Sequence, residues 1–232
     1  MHDEFKITSA LMVYSNPARK KFYVESHAVE NGALLAGKPI TRAGMKQMIT
    51  AFHNEKKKAT FSFAPVQLLA HMEDVICWYS LPRLQAMSFT EDLHIPDGLA
   101  WVPGVVYLAE GKNLSVFAMK AKKRPIETTP LFRAPFHNIH ENGEVCMGNA
   151  KLFGIEPGAT SKQLMAAWEA AFWNSRFSHL IGSSPVAKGE NVNLIWKDLR
   201  ENGTKKFPDG VLVPSKQFKT VGGLIDSRRR GM

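Results

Sequence analysis

The densest group of chemically active side chains in the sequence lies between Pro135 and Asn149. A thiol, two imidazoles, a carboxylate and three amides occur in this short segment: His137, Asn138, His140, Glu141, Asn142, Cys146 and Asn149. Gly143 and Gly148 allow backbone angles that other residues rarely adopt. Because loops that present such groups commonly carry catalysis, this segment is the candidate site and Cys146 is its central residue.

Zinc binding is the first chemistry that the segment could support. His137, His140 and Cys146 supply ligand types that zinc accepts, but no fourth ligand completes a tetrahedral site. The sequence has no second cluster of cysteine and histidine nearby, and it lacks the H-x-E…P-C-x-x-C pattern of the zinc deaminases. The spacing therefore disfavours a metal site, and we expect no cofactor.

Two reactions of a cysteine remain. A cysteine hydrolase would use Cys146 as nucleophile and a histidine as base, from His137, His140 or the remote His179. An acyl carrier would instead hold its acyl group on Cys146 as a thioester, without a strong base beside the thiol. It would need a donor for the oxyanion that forms when an amine attacks, and the Asn138 amide could provide one if the loop folds back at Gly143.

The amino-acid composition indicates the class of protein and its cellular compartment. The 232 residues are 44% hydrophobic and 22% charged, as in a soluble globular protein. No apolar run approaches the roughly 18–20 residues that cross a bilayer, so we expect no membrane association. The opening MHDEFKITSALMVY does not resemble a signal peptide. Two cysteines, Cys77 and Cys146, cannot form a disulfide framework, and we expect reduced thiols in the cytoplasm.

The formal charge of +9 is unevenly distributed. From Arg200 onward there are eight basic and three acidic residues, and shorter basic clusters occur at Arg19–Lys21, Lys56–Lys58 and Lys120–Arg124. Such patches favour an acidic partner. Since no helix-turn-helix, zinc finger or aromatic-basic RNA motif accompanies the charge, direct nucleic-acid binding through the basic C-terminal segment is a minor hypothesis.

Strands dominate the first two thirds of the sequence. Ser9–Ser15 and Phe22–Glu30 are predicted to pair, and Thr41 is predicted to cap a helix that carries Met45, Met48, Ile49 and Phe52. A β-rich middle follows. It has a predicted hairpin of Val75–Leu81 and Leu84–Phe89 around Pro82-Arg83, a strand Leu99–Ala109 interrupted at Pro103-Gly104, and a strand Leu114–Met119. Close turn signals between short segments favour an antiparallel meander, with Cys77 buried in it.

Helices are predicted after Cys146. Thr160-Ser161-Lys162-Gln163 has the form of a capping box, and the apolar residues behind it, including Trp168 and Phe172, have helical spacing typical of a core face. Leu194–Leu199 is predicted to begin a shorter helix. Because strands and helices are segregated, the fold class is α+β. We expect an N-terminal strand pair and helix at 1–60, a core at 61–200 and a basic C-terminal segment at 201–232.

The candidate loop resembles the active-site loop of ubiquitin-conjugating enzymes. That family has His-Pro-Asn, an apolar residue, a short turn with glycine, and a cysteine between apolar residues. The matching residues are Phe136-His137-Asn138-Ile139 and His140-Glu141-Asn142-Gly143-Glu144-Val145-Cys146-Met147, with Phe136-His137 in place of His-Pro. The resemblance implies a UBC-like fold, a thioester on Cys146 and an oxyanion-stabilising role for Asn138.

Most of the chain also resembles the protein B group of the PRTRC system, a prokaryotic branch of the same family found on plasmids and other mobile elements. The matching stretches are TPLFRAP (129–135), residues 138–149, WEAAF (168–172), SRFSH (175–179) and FPDGVLVP (207–214). The resemblance implies three kinds of partner, namely a ThiF-like adenylating enzyme, a small ubiquitin-like protein and plasmid-partitioning proteins.

The expected activity is that of a transferase, which passes the modifier from Cys146 to an amine. His137, His140 and Glu141 could assist proton transfer from that amine, whereas Arg176 and His179 are interpreted as structural or partner-binding. The alternative from another class is a non-catalytic docking protein of the same fold that serves plasmid maintenance. A cysteine hydrolase is the remaining alternative.

Overall fold

The structure, a computed structural model, describes residues 6–16, 18, 21–46, 63–72, 74–148, 158–203 and 206–229. The chain divides into two compact units, Met1–Ala59 and Thr60–Met232. None of the described helices is long and apolar enough to span a bilayer.

The first unit is built on the predicted strand pair. β1 (Ser9–Ser15) and β2 (Phe22–Glu30) are antiparallel, with Ser9 opposite Ala28 and Ser15 opposite Phe22. β3 (Ala33–Leu34) and β4 (Lys38–Pro39) pair with β2. Both strand predictions are confirmed. In each strand, successive side chains point to opposite faces of the ribbon.

A short helix follows in the same unit. The Thr41 hydroxyl accepts a hydrogen bond from the Gly44 N–H at 3.1 Å, where helical residues 42–46 (α1) begin. This bond confirms the predicted cap. Met48, Ile49 and Phe52, which were predicted to continue the helix, lie outside the described residues.

The described residues of the second unit form two sheets. Its strands are β5 (Leu68–Met72), β6 (Val75–Ser80), β7 (Arg83–Phe89), β8 (Gly98–Val102), β9 (Gly104–Glu110), β10 (Asn113–Met119), β11 (Phe132–Arg133) and β12 (Arg176–Phe177). One sheet has the order β11-β10-β9-β6-β5 and the other β12-β7-β8. All pairings are antiparallel except β12 with β7. Together with the helices they form a mixed α+β fold.

The predicted hairpin around Pro82-Arg83 is wrong. β6 pairs with β9 and β7 pairs with β8. The chain therefore continues from β6 into β7 without turning back, and β8 and β9 run antiparallel to it along the same long ribbon. Ser80 lies opposite Val105 and Arg83 opposite Val102, so the register continues unchanged through the gap. The ladder is interrupted where Pro82 lies across from Pro103, because proline has no N–H to donate. The interruption predicted at Pro103-Gly104 is confirmed.

The five-stranded sheet is covered on both faces. Residues of β6 alternate between the faces, with Ile76 and Trp78 in one cluster and Val75, Cys77 and Tyr79 in the other. The cluster with Trp78 includes four residues of α2 (Ser161–Trp173): Met165, Trp168, Phe172 and Trp173. The burial predicted for Cys77, Trp168 and Phe172 is therefore confirmed.

Three α-helices lie within the described residues of this unit. Thr160 forms the predicted capping box with Gln163 at the start of α2. α3 (Val192–Glu201) begins two residues before the predicted start and buries Trp196 and Leu199. α4 (Val221–Arg229) was not predicted, and its Val221 and Leu224 cover the sheet face that carries Cys77.

Candidate active site around Cys146

Cys146 lies on the surface at the end of a small folded loop. Ile139 and Val145 form an antiparallel bridge, and the His140 N–H donates to the Glu144 carbonyl at 2.8 Å. Next to this bridge, on the side away from the turn, the Cys146 N–H donates to the Asn138 carbonyl at 2.8 Å. The loop therefore folds back as the spacing suggested and brings Asn138 opposite Cys146.

Gly143 allows this fold-back. It is buried at φ 91°, and a Cβ at this position would lie 2.4 Å from the Phe117 ring. The Gly143 carbonyl accepts from the Val116 N–H and the Leu114 carbonyl accepts from the Val145 N–H, so the returning arm of the loop is tied to β10. Only glycine fits, since the backbone is left-handed and the ring occupies the side-chain position.

Asn138 joins the cysteine loop to the segment that follows α2. It has a φ of 61°, and its backbone N–H donates to the His179 carbonyl at 2.9 Å. Its side-chain Nδ2 donates to the Arg176 carbonyl at 2.8 Å, and its Oδ1 accepts from the Ser178 N–H at 3.1 Å and hydroxyl at 2.8 Å. The side chain is thus fixed by groups of a single segment, and one of its two amide protons is engaged.

His137 lies in the core. It is fully buried, its Nε2 lies 2.8 Å from the Asn193 Oδ1, and Phe89 packs edge-on against its ring. Burial lowers the pKa of this imidazole, since the charged form would lose its hydration. The structure therefore places His137 away from solvent, packed beneath the loop that carries Cys146.

Glu141 fastens a neighbouring segment, whereas His140 is exposed on the loop. The Glu141 Oε1 accepts from the Ser183 N–H at 2.6 Å. Hydrogen bonding to the Ser183 side chain and backbone holds the Glu141 pKa below its usual range. Arg133 donates to Ser183 and Ser184 from the other side, so Glu141 and Arg133 together fix the 182–184 turn.

The sequence did not indicate that Ser178 and Asp92 contribute to the site, and it suggested His179 only as a remote candidate base. The Thr90 N–H donates to the Phe177 carbonyl at 2.9 Å, which places the 3₁₀ turn Glu91–Leu93 beside the 176–179 segment. A hydrogen bond with the Thr90 side chain lowers the Asp92 pKa, and His94 and His179 act in the same direction. The SRFSH stretch was a signal that this segment matters, but the sequence alone gave no sign of its contact with Asn138.

Asn138 and Cys146 are neighbours in the candidate site. Cys146 is exposed and its backbone N–H is bonded to Asn138, whose side chain is held by the 176–179 segment, whereas the side chains of Glu141 and His137 are engaged elsewhere. Within the described ranges, no three side chains of His, Cys, Asp or Glu gather to hold a metal ion.

Comparison with known proteins gives one match. The family model of prokaryotic E2 family D matches residues 44–215, a range that includes Asn138, Cys146 and the 176–179 segment. No curated protein and no solved structure matches the chain. Since the family model covers most of the sequence, the chain belongs to prokaryotic E2 family D.

Proposed function

We propose that the protein accepts the C-terminal acyl group of a ubiquitin-like modifier on Cys146 as a thioester and transfers it to an amine. Membership in an E2 family indicates a ubiquitin-conjugating-like protein with a transferase role, which works with a ubiquitin-like protein and an activating enzyme. The observation that carries the proposal is the exposed Cys146, bonded through its backbone to Asn138 at the spacing of the E2 loop.

Two group transfers make up the reaction. First, the Cys146 thiolate attacks the activated carbonyl at the C terminus of the modifier, and the carbonyl-to-phosphate bond breaks with release of AMP. Next, an amine attacks the thioester, a C–N bond forms and the thiolate leaves. Asn138 has a second amide proton with which to stabilise the oxyanion, and one such donor is worth on the order of 10²–10³-fold in rate.

The partners follow from the same chemistry. A ThiF-like adenylating enzyme would activate the modifier, and the basic surface of this chain suits an acidic partner face. We place the reaction in a PRTRC system on a plasmid or other mobile element, beside partitioning proteins, because the matching stretches extend over most of the chain.

The test is an in vitro charging reaction. The protein, the ThiF-like enzyme, the ubiquitin-like protein and ATP should give an adduct that a reducing agent removes. Cys146→Ser should give an adduct that resists the reducing agent, since an oxyester replaces the thioester, and Cys77→Ser should behave like the unaltered protein. The absence of any adduct with the unaltered protein would contradict the proposal and favour a docking role. Cleavage of a modifier fusion without ATP would instead indicate a hydrolase.

A further inference from the structure

We infer that Nε2 of His179 accepts the proton of the amine that attacks the Cys146 thioester, and that Asn138 and Ser178 fix His179 in the tautomer this requires. The inference rests on the proposed function and adds a catalytic residue to it. The hydrogen bonds of Asn138 determine which ring nitrogen carries the proton.

The orientation of the Asn138 amide is settled by backbone groups. The Arg176 carbonyl can only accept, so the atom 2.8 Å from it is the NH₂ group. The Ser178 N–H can only donate, so the atom 3.1 Å from it is the oxygen, and the His179 N–H at 3.4 Å agrees. The usual ambiguity of an amide side chain is therefore absent here.

The orientation of the Asn138 amide also determines where the protons lie on Ser178 and His179. The Asn138 Oδ1 has no proton, so the Ser178 hydroxyl must donate to it across 2.8 Å. With its proton used, the Ser178 oxygen can only accept from His179 Nδ1, which lies 2.8 Å away. In the neutral imidazole the proton is then on Nδ1, and Nε2 carries the lone pair that accepts a proton.

Backbone hydrogen bonds connect His179 to the loop that carries Cys146. The His179 carbonyl accepts from the Asn138 N–H, and the Asn138 carbonyl accepts from the Cys146 N–H, so Asn138 lies between the two residues. His179 is exposed, as an incoming amine requires. The charged and titratable groups that interact with it are Asp92 in the 3₁₀ turn and the buried His137. His94 interacts with the same Asp92, and Arg176 on the segment of His179 pairs with Asp97.

The proton balance of the step is complete. The amine nitrogen attacks the thioester carbonyl carbon, and the C–N bond forms as the C=O pair moves to oxygen. One N–H proton passes to His179 Nε2. The C–S bond then breaks, Cys146 leaves as a thiolate, and the imidazolium returns its proton to the thiolate or to water. General bases of this kind contribute on the order of 10²–10⁴-fold.

The kinetic test separates charging from discharge. Purified thioester is mixed with free lysine over a range of pH, and the rate is divided by the fraction of free amine. We expect an acid limb in the profile of the unaltered protein and its loss in His179→Ala, with discharge about 10²-fold slower at neutral pH. Charging by the activating enzyme should stay within about twofold, since a general base for the amine has no part in that step.

Three further variants control for a loss of structure. Ser178→Ala keeps the imidazole but frees its tautomer, so it should slow discharge by less than His179→Ala, and Ser178→Thr should restore the rate. His71→Ala removes an exposed histidine that contacts Ser161 and should discharge normally. If the unaltered protein charges and His179→Ala keeps its rate and acid limb, or if His179→Ala fails to charge, the inference is overturned. If the unaltered protein does not charge, the proposed function is wrong, and the role of His179 as a base is wrong with it.

A second readout needs no partner protein. A long-range ¹H–¹⁵N spectrum of the unmodified chain with neutral imidazoles, at alkaline pH, should show the Nδ1–H tautomer of His179. Ser178→Ala should shift the signal towards Nε2–H. An Nε2–H tautomer in the unaltered protein would overturn the inference even if the thioester forms.

Discussion

At the scale of single residues, the two thiols differ in their surroundings more than in their sequence context. Cys77 is 1% exposed inside a strand, and burial raises its pKa to about 12, because the thiolate would lose its hydration. Cys146 lies on the surface beside Asn138. Since the thiolate is the reactive form, the burial and raised pKa of Cys77 identify it as a packing residue, whereas Cys146 is accessible to reagents.

Alkylation should therefore distinguish the two residues. At mildly alkaline pH, iodoacetamide should modify the folded protein once, at Cys146, and the urea-unfolded protein twice. Mass spectrometry of tryptic peptides assigns the position. Cys146→Ser should remain unmodified until it is unfolded. Labelling of Cys77 in the folded protein at the rate of Cys146 would contradict this account.

Gly143 provides a second prediction at this scale. Gly143→Ala should lower the free energy of unfolding by about 1–3 kcal/mol beyond the backbone cost, since the methyl group would overlap the Phe117 ring. Gly111→Ala is the matched control, because Gly111 also has positive φ, 56°, but has no atom within 4 Å of the added Cβ. Urea denaturation measures both. Equal losses would show that the ring contact does not matter.

At the scale of elements, local sequence signals predicted which segments form strands and helices better than they predicted which strands pair. β1, β2, β10 and α2 follow from alternation, turn residues and a capping box that lie close together in the sequence. The pairing of β6 with β9 could not be predicted in this way, because β9 lies about thirty residues away in the sequence. Pro82 interrupts the ribbon at the position where a turn was predicted. α4 escaped prediction because Gly222 and Gly223 are weak helix formers. It is held by burial against a sheet that the sequence does not reveal.

α4 should therefore be held chiefly by its packing. Leu224→Ala should lower the free energy of unfolding by about 2–5 kcal/mol, because Leu224 is fully buried against the sheet face of Cys77. Leu194→Ala, on an exposed side of α3 at 64% exposure, should change it by no more than about 0.5 kcal/mol. Urea denaturation again supplies the comparison. Comparable losses in the two variants would mean that α4 contributes little to the second unit.

At the scale of the whole molecule, the candidate site depends on segments distant in sequence. The spacing of Asn138, Gly143 and Cys146 was sufficient to predict the folded loop. It could not reveal that Arg176, Ser178 and His179 hold Asn138, because that contact requires the chain to return after α2. The same return buries His137, whose exposure the sequence could not predict.

Burial of His137 should affect the acid stability of the unit. Its pKa lies below the unfolded value of 6.5, so the unfolded chain binds the proton more readily. The corresponding stability is complete above pH 6.5 and is lost as the pH falls towards the folded pKa. His137→Gln should weaken this dependence, which unfolding experiments between pH 7.5 and 5 (about the range of imidazole titration) would show. An unchanged slope in the variant would contradict this assignment.

The position of the acyl linkage tests the central claim most directly. The adduct formed with the ThiF-like enzyme, the ubiquitin-like protein and ATP is digested under non-reducing, mildly acidic conditions and analysed by mass spectrometry. We predict that the C-terminal residue of the modifier is linked through its carbonyl to the sulfur of Cys146. A linkage at Cys77 or at a lysine, with Cys146 free, would contradict the assignment of Cys146 as the acyl carrier.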